Sequence, residues 1–287
     1  MSKKHLGKLT VREFFARFPD EETCLNHIME VRFGMRHVCQ VCGVEGTFHK
    51  LTNRRAFSCS SCGDHVYPTA GTIFMDTRTP LQVWFYAIYL FVTTRHGVSG
   101  KELERTLGVT YKTAWRMGQQ IRKLMARADG FEMLQGHVEA DATWVGGRRP
   151  YPNRRENKTI LHGIKQRGGR IAVEAVADEQ TRTLRRMFAR HVAVGSTVST
   201  DEHRSYSLLK EDGYIHGAVN HSAYEFVRGE HHTNSVESFW NLFKNSIRST
   251  HIHVSQKYMD RYVREFTFRA NHREMSNAMF DLLIAAV

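Results

Sequence analysis

The chain has 287 residues, with 41 Lys and Arg against 29 Asp and Glu, for a formal net charge of +12. An apolar fraction of 41% over that length is enough for a sizeable core and excludes a disordered chain. The longest apolar run, Val83 to Val92, is well short of the roughly 20 residues of a membrane span. The charged start has no secretory hydrophobic stretch, so a cytoplasmic, nucleoid-associated protein is expected, and the charge balance points to a polyanion, most commonly nucleic acid.

Residues 1–36 read as a helical segment, in which Cys24 is expected to be a small buried apolar residue. A zinc ribbon is expected over 37–72. Cys39 and Cys42 form one C-x2-C pair, and Cys59 and Cys62 form a second after a gap of 16 residues. That is the spacing of a four-thiolate zinc site. Gly43 and Gly63 follow the two pairs, where the turn that aims backbone amides at sulfur favours positive φ. Disulfides are disfavoured in a cytosolic setting.

Over 80–130 the pattern is helical. Pro80 opens a mostly apolar helix, and Ser99 with Glu102 forms a capping box for a second. Leu103 and Leu107 share a face of that second helix, and Gly108 is placed to end it. A further helix starts at Thr110 and carries Tyr111, Lys112, Thr113 and Arg116 near its N-terminus, the arrangement of a DNA-reading helix-turn-helix.

From 135 to 287 a catalytic domain is expected. Strands are predicted over 136–147, 159–169, 170–179 and 196–206, with a weaker one over 214–221. An amphipathic helix over 179–192 precedes the fourth strand, and helices begin near Asn234 and Ser255. This is an α/β layer built on a mixed five-stranded sheet with helices. In the first strand Glu139, Asp141 and Thr143 face one way while Val138, Ala140, Ala142 and Trp144 face the other. A basic loop follows, whose Arg148 and Arg149 would contact phosphates. Asp201 ends the fourth strand. The helix from Asn234 has a packing face of Val236, Trp240, Phe243 and Ile247 and a free face of Asn234, Glu237, Asn241 and Lys244. A capping box of Asn234 and Glu237 accounts for part of the free face, but not for Asn241 or Lys244.

Carboxylates from a first strand, a fourth strand and a later helix can converge on a pair of hard divalent cations. Such ions suit in-line phosphoryl transfer. Acids would then hold the cations while the surrounding Lys and Arg hold the polyanion.

Several stretches resemble the zinc-ribbon-bearing transposases of bacterial insertion sequences, which carry a DDE-type catalytic domain. They are TAGTIFMDTRTPL, LGVTYKTAWRMGQQIRKLM, VEADATWVGG, STDEHRSY, HHTNSVESFWNLFKNSIRSTHIHVS and RYVREFTFRANHRE, in matching order from about Cys39 to Arg273. The resemblance implies a ribonuclease H-like fold, dependence on Mg²⁺ or Mn²⁺, and cutting and joining of DNA at element ends by a homo-oligomer assembled on terminal repeats and target DNA. Carried over by position, it implies a triad of Asp141, Asp201 and Glu237, with Lys244 near the end DNA. Ala142 stands where these proteins often have glutamate. Asn234 competes with Glu237 for the third position, and Glu237 is favoured because a carboxylate binds Mg²⁺ better than an amide. Two rival readings are a non-catalytic DNA-binding regulator and a stand-alone nuclease on the same fold.

Overall fold

The computed structural model describes residues 9–147, 158–275 and 278–287. They form two compact units, one of residues up to Ala128 together with 274–287, the other Asp129–Arg273.

In the first unit, a capping box of Thr10 and Glu13 opens α1 (Val11–Arg17), and the side chain of Asp20 caps α2 (Glu21–Arg32). An antiparallel sheet follows, in the order β1 (Arg36–Val38), β2 (Glu45–Lys50), β3 (Phe57–Cys59) and β4 (His65–Val66). Three helices come next: α3 (Leu81–Thr93), α4 (Gly100–Leu107) and α5 (Tyr111–Ala128). Of the capping box expected at Ser99 and Glu102 the Ser99 half is present, and the helix stop at Gly108 is formed. Ser99 Oγ accepts from the Glu102 amide at 3.1 Å, and Gly108 closes α4 at φ +65°. Cys24 is fully buried, and burial pushes its thiol up to about 12.

The second unit is built on a five-stranded sheet of β5 (His137–Gly146), β6 (Lys158–Gln166), β7 (Ile171–Val176), β8 (Thr197–Thr200) and β9 (Ile215–Ala218). The order is β7-β6-β5-β8-β9. The β5–β6 and β6–β7 pairs are antiparallel, whereas β5–β8 and β8–β9 are parallel. This mixed sheet, with β5 at its centre, has the ribonuclease H-like topology. Between β7 and β8 lies α6 (Thr181–His191), and after β9 come α7 (Asn234–Ser246) and α8 (Gln256–Asn271). Leu184, Met187 and Phe188 of α6 pack with Val138, Ala140, Ile164 and Val198. On the other face, Val236, Trp240, Phe243, Val263 and Phe266 of α7 and α8 pack with Val145, Leu161, Ile171 and Val173. Layers on both faces of the sheet leave β5 buried on both sides.

The span expected for the catalytic domain, 135–287, is corrected at its end: the second unit closes at Arg273. The last helix, α9 (Ala278–Ala285), belongs to the first unit. Its Phe280 ring lies 5.9 Å from Phe14, 5.4 Å from Phe18 and 5.9 Å from Phe85, and Asp281 pairs with Arg17 at 2.6 Å. An apolar helix needs a partner surface, and these aromatics are that surface. Among the described residues no helix is long and apolar enough to cross a membrane.

Candidate active site

The parallel register of β5 and β8 pairs Glu139 with Ser199. Asp141 and Asp201 fall two residues further along neighbouring strands, on the side of α7. The antiparallel register sets Asp141 opposite Gly163 of β6. A Cβ at Gly163 would lie 2.7 Å from Trp240 Cζ2, so glycine there lets α7 settle onto the sheet beside Asp141. Burial pushes the Asp141 carboxyl up to about 7, helped by the negative charges of Asp201 and Glu237 and opposed by Lys244. Burial also raises Asp201, whose Oδ1 accepts from the His203 amide at 3.1 Å. The nearby His203 and His221 act against that rise. Lys244 is lowered by its own burial and held up by Asp141. Asp141, Asp201, Glu237 and Lys244 are therefore brought together from β5, the end of β8 and two turns of α7.

Glu237 sits in the first turn of α7, where its Oε1 accepts from Thr233 Oγ1 at 2.6 Å and lies 3.7 Å from His221 Nε2. The expected capping box of Asn234 and Glu237 is not formed. Thr233 is the N-cap, and Asn234 is an exposed first-turn residue. The work of holding the start of α7 goes instead to Glu139. This carboxylate is fully buried and accepts from the Ser235 amide at 2.7 Å, the Val236 amide at 3.3 Å and Arg167 Nε at 2.8 Å. Burial alone would raise it, but the bonds from Ser235 and Arg167 outweigh burial and leave it below the usual carboxylate range. Its anionic charge also suits the helix N-terminus.

Sequence reasoning missed three features here. The alternation of β5 marks Glu139 only as an acid on the Asp141 face, and the one further signal is Arg167 in the turn after β6. His221 stands beside Glu237 with no periodic pattern to mark it. Behind the site, fully buried His162 lies 2.9 Å from the Tyr206 hydroxyl, six residues before which is Asp201's strand end. Burial drives His162 down to about 3 and Tyr206 well above its usual value, so both stay neutral and pin the loop that follows Asp201.

In the first unit the four ribbon cysteines present sulfurs that all lie within 4.8 Å of one another. Gly43 and Gly63 adopt φ +70° and +77°, and their amides bond back to the Cys39 and Cys59 carbonyls at 2.9 and 3.0 Å. The Cys62 and Ser61 backbone amides draw the Cys59 thiol down to about 7. Four soft donors in this cradle fit a tetrahedral metal such as zinc.

Residues 133–271 match the ISXO2-like transposase domain, and residues 19–65 match the transposase zinc-ribbon domain, which takes in α2 as well as the cysteines. The chain thus carries an ISXO2-like transposase domain preceded by a transposase zinc-ribbon domain. A similar protein from Halobacterium salinarum, described as an uncharacterized protein in transposable element ISH50, is 28% identical over 274 residues, covering 88% of this chain and 91% of that one. A solved structure, the HTLV-2 integrase catalytic core domain in complex with magnesium in its dimeric form, aligns over 49% of this chain and 87% of its own. Its identity is 11% and its TM-score 0.30.

The residues expected to read DNA are placed as follows. Tyr111, Lys112 and Arg116 are exposed on α5, with Lys101 Nζ 4.8 Å from the Tyr111 ring centre. Thr113 is half-buried, because its amide bonds to Thr110 Oγ1 at 3.3 Å to begin the helix. Arg116 shares a cavity with Lys123 and Arg127, two exposed cations of α5 that the sequence reading did not name. Arg148 and Arg149 lie outside the described residues.

Proposed function

We propose that this transposase cuts DNA at the ends of its element and joins the freed 3′-hydroxyl to target DNA, using Asp141, Asp201 and Glu237. The observation that carries this is the convergence of the three acids beside Lys244, with the Asp141 carboxyl pushed up to about 7 by burial and by its acidic neighbours. Oxygen donors from two strand ends and one helix suit hard cations. Two Mg²⁺ or Mn²⁺ ions bound there would supply charge for activating the attacking oxygen and stabilising the leaving one.

The chain's own residues do the rest. Glu139 and Arg167 fix the start of α7 and so the angle at which Glu237 meets the two aspartates. His162 and Tyr206 hold the Asp201 loop. Lys244 offers its ammonium to a phosphate while remaining close to Asp141. Lys112 and Arg116 on α5 would engage duplex phosphates and base edges as the second helix of a helix-turn-helix. The four ribbon thiolates would hold a structural zinc. The site would act on nucleoid DNA in the cytoplasm, as an assembly of copies on two ends.

A non-catalytic regulator would leave the converging, mutually repelling acids without a purpose. A stand-alone nuclease would need the triad but would not join ends, so the test must read joining as well as cutting. Purified protein and Mg²⁺ are incubated with labelled duplexes carrying the flanks of the gene. The wild type is expected to give 3′-hydroxyl ends and strand-transfer products. Asp141→Asn, Asp201→Asn and Glu237→Gln are expected to give neither, with fold and DNA binding retained, whereas Asn234→Ala keeps cutting. Cutting by Glu237→Gln at the wild-type rate would remove Glu237 from the triad, and cutting without joining would favour the nuclease.

A further inference from the structure

Past the end of α7 the chain does something that neither the triad nor the packing of α8 requires. The helix widens into a π-turn over Ile247–His251, and Ile252 follows at φ +62° and ψ −56°. The His253 amide bonds back to the His251 carbonyl at 2.6 Å, which closes a three-residue γ-turn with Ile252 at its tip. This form of γ-turn is rare and strained, and a β-branched residue at positive φ is an outlier. The isoleucine gains no burial in return, being 84% exposed. A strained backbone holding a large apolar side chain out into water indicates a use for that side chain. π-Turns within helices likewise concentrate at functional sites.

Beside this tip is a cavity of about 480 Å³ that opens where β5 ends and whose wall includes Lys244, the cation next to Asp141. Lys158 and Arg248 line it too, with Val254 and Met259 contributing apolar wall. Among the described residues no carboxylate lines it. The volume falls in the roughly 300–1,000 Å³ range of small-ligand sites. It could take one nucleotide and is too small for stacked duplex. Positive rim and apolar wall match the two halves of a nucleotide, phosphate and base.

Resting on the reading of this protein as a DNA-cutting and DNA-joining enzyme, we infer that Ile252 is a wedge that unstacks the DNA end next to the triad. The cavity lined by Lys158, Lys244 and Arg248 receives the displaced nucleotide. Apolar side chains driven between base steps are an established way for proteins to open a duplex locally. Unstacking costs least at an end or a junction, where one stacking partner is already missing.

The test uses duplexes carrying the gene's flanks with 2-aminopurine at successive positions around the element boundary, in Ca²⁺ so that strands stay uncut. Binding is followed on the same samples by anisotropy. The wild type is expected to give a several-fold fluorescence rise at one position. Ile252→Gly, which suits the turn and removes the wedge, is expected to melt at a higher temperature than the wild type and to give no rise on bound DNA. Ile252→Leu keeps the rise. A wild type that binds these duplexes in Ca²⁺ and cuts them once Mg²⁺ replaces it, with no rise at any position, overturns the wedge alone, as does a rise that persists in Ile252→Gly. A wild type that neither binds these duplexes in Ca²⁺ nor cuts them in Mg²⁺ overturns the transposase reading and the wedge with it.

Discussion

Glu139 and Asp141 stand two residues apart on one face of β5 and have opposite fates. Arg167 and two helix amides compensate Glu139, whereas Asp141 faces the charges of Asp201 and Glu237, which the Ala142 amide and Lys244 oppose without outweighing them. Alternation in the sequence shows the shared face. It does not show that Arg167 folds back from the next turn onto one of the two acids and not the other. The consequence for Asp141 is a measurable pH dependence. Its folded pKa, about 7, lies above the ordinary aspartate value of 3.8, so the metal-free fold binds a proton the unfolded chain has lost. Stability from this group is fully present below the unfolded value and is lost as pH rises toward 7. Each pH unit between the two values corresponds to about 1.4 kcal/mol. Melting temperature in zinc-containing, magnesium-free buffer should therefore fall between pH 5 and 8 in the wild type. In Asp141→Asn the fall should be largely gone, and Mg²⁺ should restore stability to the wild type at pH 8. A wild-type curve that rises over this window would contradict the placement of Asp141 against Asp201 and Glu237.

At the scale of elements, short-range signals carried far. Period-2 and period-3.6 patterns located the five strands and the two faces of α7, and Gly43, Gly63 and Gly108 sit at the positive φ values their turns demand. What a local pattern could not show was the choice of partner across the fold. The supposed cap at Asn234 is replaced by the carboxylate of Glu139, 96 residues before the Ser235 amide from which it accepts, and Gly163 matters only because Trp240 descends on it. The ribbon is a case where spacing alone placed the donors. Its strands are two to six residues long, too little to hold themselves without a cross-link. Cys39→Ser is accordingly expected to release about one zinc per chain and to open β1–β4 to proteolysis. The sheet β5–β9 should stay folded in the same sample. Elemental analysis that finds no zinc in the wild type would remove the ribbon's metal.

For the molecule as a whole, the net charge of +12 sets the terms of binding. If duplex phosphates are the counter-charge, affinity should fall steeply with salt, with a log–log slope of about −0.9 per phosphate neutralised. Replacing exposed Lys112 and Arg116 by alanine should flatten that slope by about two and narrow the gap between element-end and random DNA. Affinity independent of salt would exclude the electrostatic footprint. Chain order adds a constraint of a different kind. Phe280 and Asp281, which meet Phe14, Phe18, Phe85 and Arg17, are synthesised after all of Asp129–Arg273. On the ribosome, the catalytic unit can complete its sheet from a contiguous stretch of nascent chain. The first unit, begun before it, must wait, its aromatic core open, until α9 emerges.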